Sequence, residues 1–251
     1  MPRLLISDSQ WEILQNVMKE SGAYMKDKLR LTIEGILWRI RTGSPWRDLP
    51  AEFGSYSSIF NKFNRWSKNG IWTKIFEELI DEPDNELNSV DGTVIRVHQH
   101  ASSGGTGGDT AIGKSKGGWT TKVIMKCDAH GNPLKSMIFE GQANEISGAK
   151  TLMTDSLTET FLGDKGLDSD EFRTWLIERG ITPCIPIKSN SVRENPGFDK
   201  HTYTFRHVVE NLFAKMKQFR AFATRYEKTK RNFQALIDLV CGVIWLRLLV
   251  N

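Results

Sequence analysis

Apolar residues recur at helical spacing through the first third of the chain. Trp11, Leu14, Val17 and Met18 fall on one face, as do Ile33, Ile36, Leu37 and Ile40. The segment TGSPWRDLP (42–50) interrupts this with Gly43, Pro45 and Pro50. Ile59, Phe60, Phe63 and Trp66 then predict a third helix, Asn69-Gly70 a turn, and Trp72, Ile75, Phe76 and Leu79 a fourth helix. Short amphipathic helices joined by tight turns suit either a helix-turn-helix module or a plain helical cap on the next domain.

The period changes after the acidic stretch DEPDNE (81–86). Residues 88–98, NSVDGTVIRVH, are rich in β-branched side chains and predict a strand. Residues 101–118 read as a Gly/Ser/Lys loop, and 119–141 as two strands around a turn at His130-Gly131-Asn132. A helix over 146–157, a strand at 161–164, a helix over 169–179 and a strand at 182–188 follow. After the polar stretch 189–202, two helices, 206–219 and 230–249, close the chain. Three consecutive strands and then alternating helices and strands predict an α/β fold with a mixed sheet flanked by helices. The expected division is 1–84, all helical, and 85–251, the α/β part.

Composition narrows the class. Of 251 residues, 39% are hydrophobic and 25% charged, and eight Trp and thirteen Phe are enough to fill a core, which excludes disorder as the main state. Cys127, Cys184 and Cys241 are far apart and form no CxxC pair, which argues against a disulfide framework or a thiolate zinc site. The N-terminus lacks the apolar core of a signal peptide. Between Asp238 and Arg247 only Leu239 to Leu246 are uncharged, far short of the ~20 residues that span a bilayer. The expectation is a cytoplasmic chain with no membrane partner.

The net charge of +4 is unevenly spread. Residues 1–84 hold 12 basic and 12 acidic side chains, whereas 200–231 set nine Lys and Arg against Glu210 and Glu227. Such a run is either a solvated helix face or a phosphate-binding surface, since Lys and Arg supply most sequence-independent affinity for nucleic acid.

Three carboxylates carry candidate chemistry. Asp91 lies in the first strand before Gly92, as a buried acid needing a partner or as half of an Asp-Gly turn. Asp164 ends a strand, where α/β folds collect ligands, and would equally serve as a helix cap. On the helix 206–219, Arg206, Glu210 and Lys217 share a stripe apart from the apolar face, as a surface ion-pair ladder or as an acid set among cations. Three such acids suit two Mg²⁺ ions, because hard cations take oxygen ligands and keep several waters. Two ions about 4 Å apart can serve both the attacking and the leaving oxygen of a phosphodiester.

Other signals compete. GDTAIGKS (108–115) matches a nucleotide-binding loop, but a strand rather than a helix is expected after it. Lys114 and Lys116 on glycine-rich backbone suit phosphate contact instead. His98 and His100 would face one side of an extended segment, but no further Cys or His nearby completes a zinc set. Trp119 is expected in the core, with base stacking as the alternative.

Tyr203, Arg206, Glu210 and Lys217 stand in the order Y-(2)-R-(3)-E-(6)-K. This signature resembles bacterial insertion-sequence transposases of the DDE type, and among them the insertion-sequence-five family. Further segments in register extend the resemblance along nearly the whole chain: RTGSPWRDLP (41–50), VDGTVIRVHQH (90–100), KGGWTTK (116–122), GDKGLDSD (163–170), RHVVENLF (206–213) and RYEKTKRNF (225–233). Leu167 departs from it, standing where the family carries an aromatic. The resemblance implies an RNase H-like catalytic domain behind a helical DNA-binding domain. It makes Asp91, Asp164 and Glu210 the catalytic and metal-binding acids, with two Mg²⁺ that Mn²⁺ can replace. It places Tyr203, Arg206 and Lys217 by the DNA, and Lys114, Lys116, Arg225, Lys228, Lys230 and Arg231 are expected there too. The implied activity is cleavage at terminal inverted repeats and strand transfer into target DNA, by a homodimer on double-stranded DNA in the bacterial nucleoid. The alternative is a transposase-derived DNA-binding protein without cleavage.

Overall fold

The computed structural model describes residues 3–25, 28–102, 110–188, 195 and 198–250. The chain opens with α1 (Asp8–Glu20), started by a capping box in which Ser7 accepts the Gln10 N–H and Gln10 accepts the Ser7 N–H. α2 (Leu29–Thr42) ends on Gly43 in the left-handed region at φ 69°. Two single 3₁₀ turns follow, Trp46–Asp48 and Ala51–Phe53. α3 (Tyr56–Lys68) turns at Asn69-Gly70 into α4 (Ile71–Glu78), as the apolar spacing predicts.

β1 (Leu87–Val97) is followed by the short α5 (Gln99–Ser102), β2 (Gly113–Ser115), β3 (Gly118–Cys127) and β4 (Pro133–Glu140). Then come α6 (Glu145–Met153), β5 (Thr160–Leu162), α7 (Asp170–Ile177) and β6 (Thr182–Cys184). α8 (Lys200–Thr204), α9 (His207–Lys217), α10 (Arg220–Ala223), the two-residue β7 (Thr224–Arg225) and α11 (Lys230–Leu248) complete the chain. Most elements run shorter than the sequence pattern suggests. Leu162 is the last paired residue of β5 because Asp164 folds back to accept the Gly166 N–H at 2.8 Å.

β1, β3 and β4 form an antiparallel meander, and β5 and β6 continue the sheet in parallel on the other side of β1. This is the mixed sheet of an RNase H-like fold, as the resemblance implies. β2 pairs with the start of β3, and β7 with the end of β1. Side chains alternate along β1. Ile95, with Val123 and Met125 of β3, faces an apolar body that includes α9, α10 and α11. Val90, with Ile124 of β3, faces a second body built on α6 and α7. The helices α1–α4 belong to the first of these, and α11 packs on both α4 and β4. A buried Glu34 ties down the N-terminus by accepting the N–H groups of Leu5 at 2.7 Å and Ile6 at 3.0 Å.

One loop expectation changes. Gly113–Ser115 is the edge strand β2, whose Lys114 pairs with Trp119 of β3. A nucleotide-binding loop needs its Gly-Lys-Ser to open a helix, so that reading fails on backbone geometry; residues 108 and 109 of the motif lie outside the described residues. Among the described residues no helix is long and apolar enough to cross a membrane.

Candidate active site

Parallel register brings the first two acids together. Ser89 of β1 pairs with Leu162 of β5. Asp91 and Asp164 each stand two residues beyond that pair, Asp91 still within β1 and Asp164 just past the end of β5, close enough for Asp164 to act on the charge of Asp91. Asp91 is half-buried, and its Oδ1 accepts the Gly92 N–H at 2.8 Å. Asp164 occupies the cap of the 3₁₀ turn Lys165–Leu167. Its neighbour in the motif, Asp168, is buried and has structural work instead: it accepts from Arg173 Nε at 3.0 Å and from the Lys188 N–H at 2.9 Å. Leu167 fills the site of the expected aromatic as a buried core residue against the α7 side.

The third acid arrives from the opposite layer. Odd-numbered residues of β1 face α9, so Asp91 looks toward the start of that helix. Arg206 caps α9, and its guanidinium donates from Nη1 to Asp91 Oδ2 at 3.0 Å and from Nη2 to Glu210 Oε1. One planar fork thus joins an acid of the central strand to an acid one helical turn away. The helix-edge stripe read from the sequence is real, but Arg206 reaches inward as well as along it. Tyr203 packs on Phe198 with ring centroids 5.3 Å apart and sits in the fields of Arg206, Asp164 and Asp91.

Electrostatics mark Asp91 as the centre. Burial pushes its pKa above the ordinary carboxylate value; the Gly92 N–H and Arg206 pull it down, and Asp164 and Glu145 push it up again. Burial opposes the charge of Arg206, yet Asp91 and Glu210 hold its pKa above the usual value. Burial likewise raises the Tyr203 hydroxyl, with Arg206 working against it.

Glu145 is the residue that sequence reading missed. It begins α6 on the far face of the sheet, and its carboxylate lies against Gly92; a Cβ there would stand 3.0 Å from Oε1. Lys122 of β3 pairs with it at 3.0 Å and donates to the Ala143 carbonyl at 2.7 Å. Glycine after Asp91 leaves room for this close approach, and a side chain there would push the Glu145 carboxylate aside by a few tenths of an ångström.

The donor set fits a hard divalent cation in kind. Asp91, Asp164 and Glu210 offer only oxygen, and their accumulated negative charge is offset by Arg206. Among the described residues, no group of three His, Cys, Asp or Glu converges as a ready cage, and Arg206 is paired with two of these acids.

The expected DNA-contacting cations divide. Lys114 and Lys116 are exposed on the β2–β3 hairpin, beside a Trp119 that is 52% exposed rather than in the core. Lys217 and Lys228 are exposed, Lys230 is half-buried, and Arg231, also exposed, donates to Asn64 at 3.1 Å. Arg225 does not fit the expectation. It is fully buried, donating to Thr121 Oγ1 at 2.5 Å and to the carbonyls of Thr110 at 2.7 Å and Glu227 at 2.9 Å. Its guanidinium is an internal strut, not a phosphate ligand. His98 follows the end of β1 and His100 lies in α5, so the segment is not extended, yet their rings are 4.7 Å apart.

Residues 82–245 match the family model described as transposase DDE domain, and residues 6–76 match that of a putative transposase of the IS4/5 family. A putative transposase for insertion sequence element IS6501 from Brucella ovis is 32% identical over 130 residues, covering 51% of this chain and 99% of the relative. An uncharacterized protein of Sinorhizobium fredii is 31% identical over 100 residues, covering 39% of this chain and 80% of the relative. Among solved structures, a piggyBac transposase synaptic complex with hairpin DNA overlaps 97% of this chain and 66% of its own, with a TM-score of 0.46 and 12% identity.

Proposed function

Because the chain belongs to the DDE transposase family, we propose that it cuts DNA at the terminal inverted repeats of an insertion sequence and joins the freed ends to target DNA. The single observation that supports this reading is that Arg206 joins Asp91 to Glu210, with Asp164 near enough to act electrostatically on both Asp91 and Arg206. In this reading residues 1–84 read the repeats and 85–251 carry the chemistry, two copies holding two ends.

Asp91, Asp164 and Glu210 would hold Mg²⁺, or Mn²⁺ in its place. Bound there, the ions would stabilise the charge that builds on the phosphodiester oxygens during displacement. The chain's own groups position the DNA. Arg206 leaves the acids for a phosphate, which its planar fork matches equally well. Lys217, two helical turns beyond Glu210 on the same stripe, takes another phosphate. Tyr203 keeps its proton, since burial raises its pKa, and so offers a hydroxyl donor to the backbone. In cleavage, water attacks phosphorus, the bond to the 3′ oxygen breaks, and that oxygen leaves as a 3′-OH. In joining, the 3′-OH attacks a target phosphodiester and releases the target's own 3′ oxygen.

The test uses the whole chain and a DNA fragment that carries the element's ends. Wild type cuts at the ends in Mg²⁺ and not in EDTA. Asp91→Asn, Asp164→Asn and Glu210→Gln each lose cleavage by about a thousandfold or more, equivalent to ~4 kcal/mol of barrier, and still shift the end fragment in a gel. Cleavage surviving in any variant removes that residue from the set. Binding without cleavage in wild type would instead identify a DNA-binding protein that has lost its chemistry.

A further inference from the structure

A cavity of about 630 Å³ opens where the helices α2 and α3 meet the end of β1 and the start of α11. That volume is ordinary for a site taking one small planar group. Its walls include Trp46, Phe60, His98, Tyr226, Lys228 and Asn232. His98 and Tyr226 are stacked, with ring centroids 4.6 Å apart, and Tyr226 is 37% exposed. Asn232 is more than nine-tenths buried, and its Oδ1 lacks a hydrogen-bond partner. No group of the proposed cleavage reaction uses any of these residues.

We infer that this cavity receives one unpaired nucleobase of the bound DNA. The inference rests on the DNA reading above and extends it to a second site on the strand. An aromatic platform accepts any base by its π-face. Lys228 at the rim, with Lys230 and Arg231 on the next turn, supplies the cations that the flanking phosphates require. The buried amide of Asn232 offers polar contact to a base edge, which a paired base inside a duplex cannot present to a closed pocket. His98 lies seven residues beyond Asp91, so at ~3.3 Å per residue the cavity is at most roughly 23 Å from the acids along β1. A strand running directly between the two sites would span that distance in about seven nucleotides at ~3.4 Å each.

The test compares two labelled duplexes with the whole chain by fluorescence anisotropy at one salt concentration. One duplex is fully paired, and the other carries a single unpaired adenine. Wild type binds the second about tenfold more tightly, the size of one base–aromatic stack. Tyr226→Ala brings the affinity for the unpaired-base duplex down to that for the paired one, and Tyr226→Phe keeps the difference. With 2-aminopurine as the unpaired base, fluorescence is quenched on binding wild type and not on binding Tyr226→Ala. His98→Ala, which removes the supporting ring, also diminishes the preference. Equal affinity of wild type for both duplexes, or a preference surviving in Tyr226→Ala, overturns the assignment and leaves the transposase reading intact. Binding of neither duplex overturns both.

Discussion

Asp91 and Glu210 meet on a single guanidinium: Arg206 donates to Asp91 at 3.0 Å and, from its other terminal nitrogen, to Glu210. These acids belong to different layers of the fold, and in the proposed reading the arginine between them stands where a metal's positive charge would lie. The same side chain thus guards the acids and competes for them.

Removing that competitor has a measurable sign. Arg206→Gln deletes one positive charge beside two carboxylates. It is expected to bind Mn²⁺ about tenfold more tightly, a gain of ~1.4 kcal/mol, by paramagnetic resonance titration in the absence of DNA. End binding weakens at the same time, because a phosphate ligand is gone. Unchanged or weaker Mn²⁺ affinity would show that Arg206 organises the acids instead of shielding them.

Arg225 and its basic neighbours are expected to separate by phenotype. Arg225→Met leaves the carbonyls of Thr110 and Glu227 without their buried donor, at a cost of about 3 kcal/mol in urea unfolding. Lys228→Ala leaves stability within about 0.5 kcal/mol and lowers the salt dependence of DNA binding by about one contact. A stable Arg225→Met chain with a reduced salt slope would reverse the assignment of Arg225 as a strut.

Burial raises Asp238 to about 6 from 3.8, against the hydrogen bonds from Thr73 and Gln234 and with Glu77 adding to the rise. The folded state therefore binds this proton more tightly than the unfolded chain. The stability contributed by this group is fully present below pH 4, is lost as pH rises to about 6, and does not change further above it. The drop from this group is at most about 3 kcal/mol. Asp238→Asn cannot ionise, so its unfolding free energy should lose that slope between pH 4 and 6. Parallel pH curves for the two proteins would discount the shift.

Gly148 sits inside α6 where a Cβ would collide with Ile124 and Phe139 of the sheet. Alanine normally favours a helix over glycine by ~1 kcal/mol. Here Gly148→Ala is expected to destabilise by about 1–3 kcal/mol through overpacking, seen as a lower melting temperature. A rise would mean that the helix lifts off the strand freely.

The alternation of β-branched residues made β1, β3 and β4 legible, and helical spacing did the same for α1 to α4. Asp91, Asp164 and Glu210 were readable as candidates because each sits at a recognisable place on its element. The link between Asp91 and Glu210 was not, since it depends on Arg206 turning inward from its stripe. Glu145 was hidden for a related reason: its part in the site comes from α6 passing over Gly92, a contact between layers that no local pattern encodes. Arg225 misled because a basic run reads as exposed, while its side chain fills a polar hole under the residue 110–111 backbone.

α11 forms a wall for both α4 and β4 although most of the described chain lies between it and α4. The opening helices thus emerge from the ribosome long before the surface that covers their apolar side has been made. Contacts so distant in sequence close late, so a message broken or a ribosome stalled anywhere upstream of Lys230 would release a product whose early helices have nothing to rest on. Completion of α11 is thus the condition on which the early helices find their cover.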